Sequence, residues 1–296
     1  MADARFSALD DWGILALQGD DVVHFLQGIV TNDVEALSDD RAIYAALLTP
    51  QGKYLHDFFL VQLGETILLE AAKSRLQDLK RRLTMYRLRA KATIEDVSDE
   101  WAVFALFGDD AYRTASLDGE AGLSCRRNDG AVLIDPRLRA LGLRAILPRA
   151  VGAALLSDGG FTAVPRAEYD SHRHRLGVAD ELGPEALYPL EAGFDELNGI
   201  SFTKGCYVGQ EVTARMKNRQ LVRKRIVPVA IESGKIEAGG KILLGDAAVG
   251  EMLASGSETG LALIRVESLQ TALVEDKPLT SGGATLRASK PDWAEF

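Results

Sequence analysis

Short apolar runs broken by glycine, proline and acidic residues dominate the chain, and a period near 3.6 surfaces in only a few places. Ile14 to Leu17 reads as a strand. Val22, Val23, Leu26 and Val30 then follow helical spacing, with Asp20 as the expected cap and a second short helix expected from Thr31. A strand at Ala42 to Leu48 leads through the turn "TPQGK" into Tyr54–Leu63 and, across Gly64-Glu65, into Thr66–Ala72, the pattern of a hairpin. Leu76, Leu79, Leu83 and Tyr86 form one apolar stripe on a helix whose other face is basic. Strands at Lys91–Val97 and Trp101–Gly108, a helical piece near Asp110, a hairpin around Asn128-Asp129-Gly130 and a strand at Leu143–Leu147 continue the mixture. Pro165 to Leu176 predicts a helix with proline in its first turn and Gly177 as its stop.

Beyond Gln220 the rhythm changes. Leu221–Ile231, Lys241–Leu244, Val249–Ser255, Gly260–Val266, Thr271–Asp276 and Ala284–Ser289 are short runs with turn residues between them and no helical period. That pattern predicts a small all-β barrel or sandwich. The expectation is therefore an α+β domain over residues 1–219 followed by a β domain over 220–296.

Composition narrows the classes of function. At 296 residues with 47% hydrophobic and 26% charged content, the chain has the make-up of a globular protein. No stretch is long and apolar enough to span a bilayer, and the first residues carry no basic, apolar targeting pattern. Two cysteines, Cys125 and Cys206, without a CxxC, indicate a reducing compartment, read here as the cytoplasm. A net charge of −9 disfavours general attraction to nucleic acid, although Lys73–Lys91 holds eight basic residues and Arg215–Arg225 six. Those segments leave an RNA-binding module as one alternative.

Chemistry concentrates in "KGCYVGQE", Lys204 to Glu211. With Thr203 as the cap of a helix toward Met216, Cys206 falls in the first turn, where helix dipole and Lys204 favour a thiolate. Gly205 and Gly209 do not help a helix and mark positive φ or a close approach. His172 and His174 cannot both aim at one point, so a cysteine–histidine hydrolase is disfavoured. His24, His56, His172 and His174 show no metal-ligand spacing, and two cysteines cannot furnish an iron–sulfur site alone. Phosphate-binding glycine motifs for ATP or dinucleotides are absent.

This motif, with "DDWGILALQGDDVVHFLQGIVTNDVEAL", "LLTPQGKYLHDFFL", "YRLRAKATIEDVS" and "PLEAGFDELNGISFTKGCYVGQEVTAR", resembles the YgfZ-type folate-binding family. Its members are relatives of the glycine-cleavage T-protein that assist iron–sulfur enzymes. The resemblance implies two interleaved α+β subdomains with tetrahydrofolate near their centre, plus the C-terminal β-barrel. It implies iron–sulfur enzymes or assembly proteins as partners, and no conventional enzymatic activity. By motif, Trp12 matches the tryptophan beside folate, and Tyr169 falls where a second tryptophan occurs. The signature set is Lys204, Gly205, Cys206, Tyr207, Gly209, Gln210 and Glu211, with Cys206 as a reactive thiol. Where the T-protein has its pterin-binding glutamate this chain has Arg175, which has no acceptor, while Asp57 falls near that protein's catalytic aspartate. An aminomethyltransferase using Asp57 is the enzymatic alternative.

Overall fold

The computed structural model describes residues 3–296. In chain order the first domain contains β1 (Arg5–Ala8), β2 (Trp12–Gln18), α1 (Val22–Gln27), β3 (Ile43–Leu48), β4 (Tyr54–Leu63), β5 (Thr66–Ala72), α2 (Leu76–Arg87) and β6 (Thr93–Asp96). There follow β7 (Trp101–Phe107), α3 (Ala111–Ala115), β8 (Ser124–Arg127), β9 (Gly130–Ile134), β10 (Leu143–Pro148), α4 (Gly152–Asp158), β11 (Thr162–Ala163), α5 (Arg166–Arg175) and α6 (Gln210–Asn218). One sheet has the order β11-β1-β7-β10-β9-β8 and the other β3-β4-β5-β2-β6. The chain starts in the first sheet, makes the whole of the second, and returns. This is the interleaving.

Strand pleating assigns each residue its layer. On β2, Trp12 and Ile14 face the core between the sheets, while Leu15 and Leu17 face the helical layer of α1 and α2. A second helical layer, α3 and α4, covers the other sheet through Ala111, Ala115 and Leu156. The central core is thus closed on both sides by sheet. One irregularity re-aims side chains there. Leu47 pairs with His56 but Leu48 with Tyr54, so Leu55 is an extra residue in β4. This bulge turns Tyr54 to the same side as Asp57 and Phe59.

The second domain is a closed barrel, β12 (Lys224–Ser233), β13 (Lys241–Leu244), β14 (Ala247–Ser255), β15 (Thr259–Arg265), β16 (Leu279–Ser281) and β17 (Ala284–Ala288), with α7 (Val266–Val274) between β15 and β16. Closure removes the sheet edges. Thr271–Asp276, expected as a strand, is instead largely the end of α7. Only Leu269 and Ala272, three apart, are buried, and they plug the barrel core. The expected helix at Thr31 is a 3-10 turn, Val34–Ala36, where Asp33 accepts from the Glu35 amide. Helix α1 begins one residue past Asp21, so Asp20 is not its cap; β1, α4, β11 and β16 have too few patterned residues to stand out in sequence.

Candidate functional site

The centre of the first domain is an ion-pair network built on aromatic rings. Arg144 on β10 and Glu70 on β5 bond bidentately across the two sheets with no exposed side-chain surface. Arg137 grips Asp135 through Nε (3.0 Å) and Nη2 (2.8 Å), and donates from Nη1 to Asp180 at 2.5 Å. Arg173 on α5 adds its Nε 3.0 Å from Asp180 Oδ2. The guanidinium of Arg144 lies over Trp12 at 4.8 Å and over Phe59 at 4.1 Å, and Arg137 lies over Phe59 at 4.9 Å. Planar cations on ring faces are favourable when both are desolvated. Facing guanidinia hold the Asp180 carboxyl well below the usual carboxylate range, despite its burial.

Trp12 and Tyr169 both enter this core and are each 1% exposed. Tyr169 packs on Phe107 at 5.5 Å. Their polar ends, Trp12 Nε1 and the Tyr169 hydroxyl, are buried without a hydrogen-bond partner. Such groups cost roughly 1–3 kcal/mol each when left unmet. Arg175, by contrast, is exposed and lines a cleft with Leu176, Pro228, Pro291 and Trp293 at the barrel junction. It points away from the network because α5 turns its buried face, Tyr169, Arg173 and His174, inward.

Asp57 sits beside the network, buried, with one oxygen accepting from Tyr44 (2.8 Å) and the other from Tyr54. Burial pushes its carboxyl above the ordinary range against the two tyrosine bonds. A cleft of about 450 Å³, lined by Asn32, Arg41, Tyr44, Glu120, Asn198 and Ser201, reaches Tyr44 from the surface.

The signature segment is built differently. Lys204 Nζ donates to the carbonyls of Gln27 (2.8 Å), Val30 (2.9 Å) and Asn32 (2.7 Å), so it caps the end of α1. Burial pushes the lysine down to about 8, with Asp33 and Glu35 acting the other way. Tyr207 is buried, and its phenol is pushed up to about 12 by desolvation. Gly209 has φ +84° and lies against the "TPQGK" turn; a Cβ there would stand 2.7 Å from the Thr49 carbonyl oxygen. Gly52 meets it from the other side, its own missing Cβ 2.9 Å from Val212. Gly205 is unlike Gly209, because a Cβ on it would meet nothing within 4 Å. Helix α6 starts at Gln210, not after Thr203, since the left-handed Gly209 precedes its first turn. Cys206 is therefore an exposed loop thiol four residues ahead of the helix. Gln210 Oε1 accepts from the Tyr207 amide at 3.4 Å, and Glu211 is exposed in the first turn. His172 bonds the Ala140 carbonyl and His174 lies against Arg173, so both histidines are occupied elsewhere. Among the described residues no group of three or more His, Cys, Asp or Glu is disposed to hold a metal ion.

The basic runs are partly structural. Asp78 takes Arg81 and Arg82 together with His56, Arg75 and Arg87 bond backbone carbonyls, and Lys217 and Arg225 pair with Asp195 and Glu196.

Two interleaved sheets around a buried centre, joined to a closed barrel, define a protein of the glycine-cleavage T-protein class of folds. Residues 9–117 match the GCVT N-terminal domain and residues 223–296 match the CAF17 C-terminal beta-barrel domain. The glycine cleavage system aminomethyltransferase T from Bartonella henselae superposes with a TM-score of 0.77 over 99% of this chain and 87% of that one, at 18% identity. The human iron–sulfur cluster assembly factor IBA57, mitochondrial, is 34% identical, covering 96% of this chain and 84% of its own length; the mouse protein of the same name is 32% identical with the same coverage. The chain belongs to this IBA57 family of assembly factors. The expected cytoplasmic location is overturned, because these relatives, and the Neurospora crassa homologue, are named as mitochondrial. Unpaired cysteines report a reducing milieu and do not distinguish one reducing compartment from another.

Proposed function

We propose that the protein is a folate-binding accessory factor for iron–sulfur cluster assembly, with Cys206 as its reactive thiol. The observation that carries the reading is the signature loop. It holds an exposed thiol on a backbone clamped by Lys204 and Gly209, with open space at Gly205. That arrangement suits presentation of a thiol to another protein better than turnover of a small substrate. Any cluster handled at Cys206 draws its remaining ligands from a partner.

The centre supports the folate half. A pterin is flat and bears N–H donors and acceptors, and it suits a surround of aromatic rings with unmet polar ends. Trp12 and Tyr169 supply both. When bound, tetrahydrofolate supplies a carrier for one-carbon groups. The residues around it orient the ring and exclude water. As both rings are packed in the core, a ligand reaching them displaces neighbouring side chains.

Asp57 weighs against the aminomethyltransferase alternative, since tyrosine hydroxyls already engage both of its oxygens. The test is complementation. In cells lacking their own factor, the wild-type chain is expected to restore iron–sulfur enzyme activity, and Cys206→Ser is expected to fail while folding normally. Equal rescue by both proteins would remove Cys206 from the function.

A further inference from the structure

We infer that a cavity at the junction of the first domain with the barrel is a binding site for a monocationic α-amino amide with an apolar side chain, the chemistry found at the amino end of a peptide. The inference does not rest on the folate reading. The cavity measures about 400 Å³, inside the range of roughly 300–1,000 Å³ typical of small-molecule sites. Its charges come from Asp195 and Glu196 in the loop before the signature segment, Lys217 on α6, Arg225 on β12, and Glu295. Three acids against two bases leave the lining one negative charge in excess. Met216, Val222, Val266 and Phe296 supply apolar walls.

Three buried polar atoms of this lining have no hydrogen-bond partner among the described residues: Asp195 Oδ1, Glu196 Oε2 and Arg225 Nε. Their side chains are 1%, 9% and 9% exposed. The atoms next to them are committed. Lys217 Nζ donates to Asp195 Oδ2 at 2.6 Å, the Glu295 amide donates to Glu196 Oε1 at 2.7 Å, and Arg225 Nη1 donates to the Leu190 carbonyl. Arg225 Nη1 also stands 3.6 Å from Asp195 Oδ1 and 3.0 Å from Glu196 Oε2, which balances charge, yet neither oxygen receives a hydrogen bond. Two acceptors on separate carboxylates and one donor thus line a single cavity. A guanidinium fork matches both oxygens of one carboxylate, whereas an ammonium is a compact charge with three donors and can serve oxygens of two. Arg225 Nε calls for an acceptor on the same ligand. A free carboxylate there would cancel the positive charge that the lining requires; an amide carbonyl does not. The apolar walls take the side chain. Lys217 lies about two turns along α6 from Gln210, roughly 10 Å, so a peptide held here by its amino end packs against the helix that follows the Cys206 loop.

The assignment is tested by calorimetric titration of the intact protein with phenylalaninamide, N-acetylphenylalaninamide and phenylalanine at about pH 6.5, where an α-amino group is protonated. Phenylalaninamide is expected to bind at one site. Its affinity should exceed at least tenfold that of the acetylated compound, which has lost the ammonium, and should also exceed that of phenylalanine, whose carboxylate adds a negative charge. Glu196→Gln should weaken phenylalaninamide at least tenfold and leave the acetylated compound unchanged. Val266→Phe fills the cavity from the barrel side, keeps all three polar side chains, and serves if the glutamine variant does not fold; it should abolish binding of phenylalaninamide. Absence of saturable binding of phenylalaninamide to the wild type, equal affinity for it and the acetylated compound, or an affinity unchanged in either folded variant overturns the site. Phenylalanyl-glycyl-glycinamide separates the two sources of such a ligand. Binding as tight as that of phenylalaninamide assigns the amino end of a peptide, and exclusion of the longer chain with phenylalaninamide still bound assigns a free amino amide.

Discussion

At the centre of the first domain, charged side chains from β5, β10, α5 and the loops after β9 and α5 are packed out of solvent, whereas at the signature loop a cysteine stands in solvent between a lysine tied to three carbonyls and a glycine packed against the Thr49 carbonyl. The two regions use lysine and arginine in opposite senses. Arg144 and Arg137 neutralise carboxylates that would otherwise be ruinous to bury. Among the described residues Lys204 forms no salt bridge; it gathers carbonyls at a helix end and ties down a loop. The difference teaches that strong charge pairing here holds two sheets together inside the core, while the position of the surface thiol depends on backbone geometry.

The largest effect that separates them is expected from Arg144→Met. It leaves Glu70 buried without its partner and should lower unfolding free energy by about 3–5 kcal/mol in urea titrations. The double variant Arg144→Met/Glu70→Leu should recover much of that. If the single variant is as stable as wild type, the centre is not the tightly paired region described.

Next come the glycines of the loop. Gly209→Ala strains a left-handed residue and drives a methyl into the Thr49 carbonyl, so a loss of about 2–3 kcal/mol is expected. Gly205→Ala should stay within about 0.5 kcal/mol of wild type, because nothing adjoins it. Equal losses at both positions would mean that the loop is packed throughout.

Acid should act through two buried histidines, His56 on β4 and His174 on α5. His56 and His174 are each pushed down to about 4, chiefly by burial. The folded state thus favours the neutral rings. The associated stability is present above the unfolded value near 6.5 and is lost as pH falls toward 4, on the order of 2 kcal/mol for each histidine between pH 7.5 and 5. Urea midpoints at the two pH values measure it. His174→Asn should flatten the dependence, and a profile as steep as that of wild type would assign the acid sensitivity elsewhere.

The smallest effect is expected at the thiol itself. Cys206→Ser should shift stability by less than about 0.5 kcal/mol, since the side chain is exposed. Iodoacetamide should label Cys206 ahead of the half-buried Cys125. Slower labelling of Cys206, read by mass spectrometry, would contradict an open loop.

The loop and the barrel were legible because their information is local. Glycines, a lysine and a cysteine at fixed spacing announce the loop, and turn residues at short intervals announce β12 to β15. Even there the helix start was misplaced by several residues, since φ at Gly209 is decided by the Thr49 carbonyl, far away in sequence. The centre was legible only in its rings. Trp12 and Tyr169 were found by motif, but Arg137, Arg144, Glu70 and Asp180 are ordinary charged residues until two sheets bring them together. Asp180, three residues past Gly177, offers no pattern that singles it out.

The interleaved path of the chain also imposes an order of assembly. β1 finds no partner in the residues that directly follow it; it pairs with β7, Arg5 opposite Phe107, and with β11 at Thr162 and Ala163. About a hundred residues must therefore be made before its first neighbour exists, some 5–20 s of synthesis at 5–20 residues per second. During that interval Phe6 and the hydrogen-bonding edge of β1 are open to any extended chain nearby. The second sheet, continuous from β2 to β6, can meanwhile form by itself. Newborn chains of this protein should be most dependent on chaperones in the window before residue 107 emerges.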